Sequence, residues 1–200
     1  MGMMQTASLV IFLLALLITG VLGTETRPLF FWPGAALLGL AGLLATLRWR
    51  LRVLFPRSDV CLTALLIFVA YIGGRAALSP VAAYAREDLV ILLGALVTYV
   101  FTVTAASHPR WRVALIVMLL VLAAGNLAVG SVHLSGNWGF HVVPNFIRSV
   151  EAGRIGGFFV NPNHLAAFLS VVVFLSAGWL CFGRGGAVLK LWLGFMTVAM

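Results

Sequence analysis

The chain has 200 residues, of which 62% are hydrophobic and only 9% are charged, and its formal net charge is +8. Soluble proteins are about 45–50% apolar and about 25% charged, so these 13 basic and 5 acidic side chains cannot cover a surface exposed to water. Disordered chains are polar and charged, which excludes disorder as well. The composition predicts an all-α integral membrane protein, a polytopic bundle of transmembrane helices.

Long stretches nearly free of charged residues predict the membrane spans, because crossing the hydrocarbon core takes about 20 helical residues. A last apolar stretch begins near residue 186, and its roughly 14 residues before Met200 are too few to cross. We therefore expect six complete spans and a truncated seventh. Residues 1–200 would then be a single transmembrane domain, the N-terminal part of a longer chain. The complete spans are predicted at 7–24, 29–47, 60–78, 88–106, 112–130 and 162–182.

Arg75 is a charged residue near the end of the third predicted span, after Gly73 and Gly74. Its side chain either extends to the membrane interface or faces a polar cavity. The usual behaviour of arginine near the ends of membrane helices favours the interface.

The charges between the spans predict the orientation of the chain. The gaps after the even-numbered spans hold eight basic residues and one acid, whereas the opposite side holds five basic and four acidic residues. The positive-inside rule then puts the N-terminus in the cytoplasm and the 131–161 segment on the outer side of the membrane.

The outer loop, residues 131–161, is the longest segment outside the predicted spans. Apolar residues at 146, 147 and 150 predict a short helix that lies on the membrane surface. His133 and His141 are eight residues apart in this loop. No third ligand is evident beside them, so we expect no metal site.

The stretch from Arg154 to His164 leads directly into the sixth span. Asn161 is a good N-cap, and Pro162 suits the first helical position. Free N–H groups and the positive end of the helix dipole would then face outward, beside Arg154 and His164, and Gly157 would allow close backbone approach. The residues alone leave two interpretations equally open. One is a site for an anionic headgroup such as a phosphate or diphosphate, and the other is a well-capped membrane helix with an interfacial arginine.

The pattern Arg-x-x-Gly-x-Phe-x-Asn-Pro-Asn-His followed by an apolar helix resembles the O-antigen ligase/polymerase superfamily. The pattern occupies residues 154–164, between an outer loop and a predicted span. The matched positions are Arg154, Gly157, Phe159, Asn161, Pro162, Asn163 and His164.

The resemblance implies a glycosyltransferase of the bacterial inner membrane that moves a glycan from undecaprenyl diphosphate at the periplasmic face. The implied partners are the undecaprenyl-diphosphate-linked donor, a lipid or glycan acceptor (lipid A-core, a growing polysaccharide or a protein) and membrane lipid. No nucleic acid, cofactor or metal is implied. The family's catalytic histidine lies in a later loop, so we expect the catalytic residues beyond residue 200, and His164 is not that histidine. The predicted substrate-binding residues are Arg154, Gly157, Asn161, Asn163, His164 and Arg75.

Two other classes of function remain open. A polytopic transporter of a small anion or solute is the main alternative, and charged residues in the middle of spans would favour it. Arg75 is the borderline case. A non-catalytic membrane scaffold is the third interpretation, and it predicts that residues 154–164 tolerate substitution.

Overall fold

The computed structural model describes residues 3–22, 28–46, 59–143 and 154–183, together with positions 186, 190 and 194. Within these ranges the regular structure is helical and no strand occurs, as the composition predicts. The helices are α1 (Met3–Val21), α2 (Pro28–Thr46), α3 (Asp59–Ala77), α4 (Ala82–Ser107), α5 (Pro109–Leu134) and α6 (Pro162–Phe182).

The helices lie close to the six predicted spans, although α1 begins at Met3 rather than at residue 7 and two further ends also differ by four residues or more. Helix α4 begins at Ala82 rather than at residue 88, and α5 continues to Leu134. The connection between α5 and α6 therefore starts after residue 134, later than the predicted loop boundary at 131. The surface helix predicted around residues 146–150 and the seventh span that begins near residue 186 lie outside the described residues.

Three helices in the described part of the chain are long and apolar enough to cross a membrane: Met3–Val21, Pro109–Leu134 and Pro162–Phe182. The apolar parts of α2, α3 and α4 (Phe30–Ala45, Leu62–Ala77 and Asp88–Val103) are shorter, between 10 and 17 residues. Even 17 residues cover only about 26 Å at 1.5 Å per residue, less than the about 30 Å of a hydrocarbon core. A helical bundle with three such helices is shown, rather than six complete spans.

The chain divides into two compact units, and the first consists of Met1–Ala15 and Ala35–Arg112. Its helices α3 and α4 pack against each other across a short turn, in which the Ser79 hydroxyl donates to the carbonyl of Val81 at 3.1 Å. The rings of Phe12 and Phe101 stack with centroids 4.7 Å apart. The buried Ser8 hydroxyl donates to the carbonyl of Ala41 at 3.0 Å, so this polar group is satisfied within the apolar core.

The second unit consists of Leu16–Gly34 and Val113–Met200 and contains most of α5 together with α6. Leu120, Ala123 and Val172 form its buried core, and Phe168 and Trp179 pack against them. Every residue of the 154–164 motif lies in this unit.

Candidate functional site

Asn161 caps the N-terminus of α6, as predicted. Its φ and ψ are −102° and 119°, and its side-chain oxygen accepts the backbone N–H of Asn163 at 2.9 Å. Its carbonyl accepts from His164 at 3.0 Å and from Leu165 at 3.4 Å. Pro162 has no N–H to leave unpaired. The expectation of free N–H groups at this helix end is therefore wrong, because Asn161 already engages the backbone N–H groups of residues 163–165.

Arg154 lies beside this capped helix end. Its Nη2 donates to the side-chain oxygen of Asn163 at 2.8 Å, and both residues are exposed. A cation is favoured at the C-terminus of a helix and disfavoured at the N-terminus, where the dipole is positive. The guanidinium and the helix end thus present positive charge of the same sign to the solvent.

Gly157 sits at a sharp turn just before the helix. Its φ is +56°, a conformation that side chains rarely adopt, and both Gly156 and Gly157 are buried. The N–H of Phe159 donates to the carbonyl of Gly156 at 2.8 Å and closes the turn. The predicted close approach of the backbone is present, but the neighbour is α5 of the same chain.

The residue that Gly157 approaches is Asn126 of α5, which the sequence analysis did not select. Asn126 is 1% exposed. Its Oδ1 accepts the N–H of Phe158 at 2.8 Å, and its Nδ2 donates to the carbonyl of Leu122 at 2.8 Å. A polar side chain inside an otherwise apolar span was the available signal, since such residues are costly in a membrane and usually have a function.

Two more contacts hold residues 155–158 against α5. A Cβ added to Gly125 would lie 2.9 Å from the ring of Phe158, and one added to Gly130 would lie 2.7 Å from the Ile155 side chain. These glycines therefore let residues 155–158 lie directly against the helix.

A groove of about 540 Å³ lies between α5 and α6, along the N-terminal half of α6. The hydroxyl protons of its two serines are used within their own helices, because Ser131 and Ser170 donate to the carbonyls of Leu127 and Ala166, each at 2.8 Å. The groove is therefore mainly apolar. The lining residues are Asn126, Leu127, Gly130, Ser131, Leu134, Ile155, Pro162, Leu165, Ala166, Leu169, Ser170, Val173 and Phe174.

His133 and His141 do not form a pair in a common loop. His133 lies in the last turn of α5, fully buried, with its Nε2 2.9 Å from the carbonyl oxygen of Phe140. His141 is exposed. Among the described residues, no group of three His, Cys, Asp or Glu side chains could hold a metal ion.

Arg75 lies in the other compact unit, in the last turn of α3. Its Nε is 3.3 Å from the carboxylate of Asp88 in α4, and the two side chains are 60% and 22% exposed. This ion pair joins two helices that are neighbours in the chain. Its local partner is thus a carboxylate, and the two predicted arrangements, extension to the membrane interface or a polar cavity, stay predictions.

Comparisons with known proteins leave the function open: no family model, no curated protein and no solved structure matches this chain. The 154–164 segment and its surroundings in the second unit therefore form the candidate site. Arg154 and Asn163 are in contact there, Asn161 caps the helix, Gly157 forms the turn, and His164 lies exposed in the first helical turn.

Proposed function

We propose that the protein is a membrane glycosyltransferase of the bacterial inner membrane. It would move a glycan from an undecaprenyl-diphosphate carrier to lipid A-core, to a growing polysaccharide or to a protein at the periplasmic face. The similarity of residues 154–164 to the O-antigen ligase/polymerase superfamily supports this proposal. The length and apolar character of α6, which begins at Pro162 within the motif, agree with it.

The single observation that carries the proposal is the position of Arg154. Its guanidinium is held 2.8 Å from Asn163 in the first turn of α6, where the helix dipole is also positive. Arginine binds phosphate oxygens in a bidentate manner. A diphosphate carries negative charge, which both a guanidinium and the positive end of a helix dipole attract.

The proposed reaction needs positive charge beside the diphosphate of the donor. When the bond between the sugar and the diphosphate breaks, negative charge develops on the leaving diphosphate. A fixed guanidinium and helix dipole that face this charge lower the barrier, because they need no reorganisation during the reaction. The capped N–H groups contribute through the dipole rather than through direct hydrogen bonds. Asn161 and Asn163 shape the site by holding the helix end and the arginine.

The membrane arrangement belongs to the same proposal. All six described helices would cross, with a seventh span after them, the N-terminus in the cytoplasm and the α5–α6 connection in the periplasm. The distribution of basic residues between the spans supports this orientation. The apolar parts of α2, α3 and α4 would cross only with local thinning of the bilayer or with polar residues at their ends reaching the interface.

Arg154→Ala in the full-length protein tests the proposal. We expect glycan transfer to fall about 100-fold, the usual loss when one group that stabilises charge in the transition state is removed, with normal amounts of protein in the membrane. Arg86→Ala is the matched control, because Arg86 is an exposed arginine on the same predicted side. Undiminished transfer by Arg154→Ala would remove Arg154 from the site.

A polytopic transporter of a small anion or solute stays the alternative. A charge in the middle of a span would favour it, and the borderline case, Arg75, lies in the last turn of α3 and pairs with Asp88 of α4. Uptake of a labelled anion into proteoliposomes, without any glycan transfer, would support this alternative over the glycosyltransferase.

A further inference from the structure

The buried amide of Asn126 joins two parts of the second unit that are 32 residues apart in the chain. Its two hydrogen bonds use both of its functional groups, one toward Phe158 and one toward Leu122 of its own helix. A fully satisfied polar group in an apolar interior fixes a single arrangement, because every alternative leaves a buried donor or acceptor unpaired.

Asn126 holds residues 155–158, the segment that directly follows Arg154 in the chain. Gly157 packs directly on the Asn126 side chain, and Ile155, the residue after Arg154, packs on Gly130. The backbone of residues 155–158, which directly follow Arg154 in the chain, is thus fixed against α5. The side-chain oxygen of Asn163 accepts a hydrogen bond from the Arg154 guanidinium.

We infer that Asn126 is a positioning residue for the anion site: it docks the 155–158 segment on α5 and so holds Arg154 at the N-terminus of α6. The inference rests on the proposed function for its meaning in catalysis. The docking itself is a separate physical claim. Asn126 acts through this segment in the inference, since its side chain is 1% exposed and bonds to Phe158.

Disulfide formation between cysteines at positions 130 and 155 measures the docking without reference to activity. The Ile155 side chain lies where a Cβ at position 130 would contact it, and such closeness is what a disulfide needs. The experiment uses the full-length protein in membranes with Cys61 and Cys181 replaced by serine. Mild oxidation is followed by mass spectrometry of the linked peptides.

We expect rapid disulfide formation in the parent double-cysteine protein and at least a threefold slower rate with Asn126→Leu, which removes both hydrogen bonds. Ser131→Ala is the matched control, because the Ser131 hydroxyl bonds only within α5, and it should leave the rate unchanged. If Asn126→Leu does not reach the membrane, Asn126→Ala is judged by the same criteria. An unchanged rate in the asparagine variant would overturn the inference.

Glycan transfer gives the second readout. Asn126→Leu should reduce transfer roughly tenfold in the presence of Arg154 and less than twofold in the Arg154→Ala background, since groups that act through one another are not additive. A purely structural residue would reduce transfer equally in both backgrounds, and that result would also overturn the inference. Absence of transfer in the parent protein would defeat the proposed function, while the disulfide rates would still decide the role of Asn126.

Discussion

Arg154 is a candidate site residue because of its neighbours and not only because of its charge. An exposed arginine at a membrane interface is common, but this one donates to Asn163 beside a positive helix end. The pattern in the sequence indicated an arginine close to a capped helix. It could not indicate the hydrogen bond itself, because that depends on the path of the eight intervening residues and on the buried turn at Gly157.

Gly157→Ala tests that turn. The substitution places a side chain at a φ of +56° and against the Asn126 oxygen, so strain of about 1–2 kcal/mol adds to a steric overlap. Gly136→Ala is the matched control, because its φ is +98° but nothing lies within 4 Å of an added Cβ. We expect thermal unfolding of the purified protein in detergent to show a clearly larger loss for Gly157→Ala. Equal losses would mean that contact with Asn126 contributes nothing.

Helix α6 shows how much of an element local sequence can predict. Asn-Pro at 161–162 indicated the cap and the first helical residue, and both are present because capping depends only on neighbouring residues. The state of the first-turn N–H groups was predicted wrongly, since the carbonyl and the side chain of Asn161 accept them. The contact with Asn126 was not predictable, as it joins residues 32 positions apart.

Asn161→Asp separates the stability of this helix end from its proposed function. Aspartate caps as well as asparagine, and its charge interacts favourably with the dipole by about 0.3–1 kcal/mol. We therefore expect equal or higher thermal stability together with lower glycan transfer, since the carboxylate competes with a bound anion. Asn161→Ala, by contrast, should lower stability by about 1 kcal/mol. Normal transfer by Asn161→Asp would contradict an anion site here.

An ion pair joins α3 and α4. The ion pair between Arg75 and Asp88 is partly exposed, so we expect a double-mutant cycle with alanine to give a coupling of only about 0.2–1 kcal/mol. Asp88→Asn and Arg75→Gln should then have similarly small effects on glycan transfer. A large loss of transfer for Arg75→Gln alone would instead support the prediction that Arg75 binds substrate.

For the whole molecule, composition was the strongest predictor. The apolar content predicted an all-helical bundle, and the helices lie near the stretches poor in charge. The number of crossings is less well predicted. A stretch poor in charge indicates where a membrane helix can form. Crossing the membrane also requires an uninterrupted apolar length, which only α1, α5 and α6 reach among the described helices.

Cysteine labelling from outside intact cells tests the number of crossings. With six spans, Met3 and Asn137 lie on opposite sides of the membrane, so a membrane-impermeant reagent should label Asn137→Cys and leave Met3→Cys unlabelled. Both positions are exposed in the structure, which makes them comparable. If only α1, α5 and α6 crossed, the two positions would lie on the same side and behave alike. The native Cys61 and Cys181 are replaced by serine for this experiment.

The proposed role of Arg154, at the N-terminus of α6, is to bind the diphosphate of a glycan donor. The most direct test is the rate of glycan transfer by the purified full-length protein in lipid nanodiscs, measured over a range of undecaprenyl-diphosphate-linked donor concentrations. We predict that kcat/KM falls about 100-fold for Arg154→Ala and by an intermediate amount for Arg154→Lys, which keeps the charge but not the bidentate geometry. A kcat/KM for Arg154→Ala equal to that of the unsubstituted protein would contradict the account.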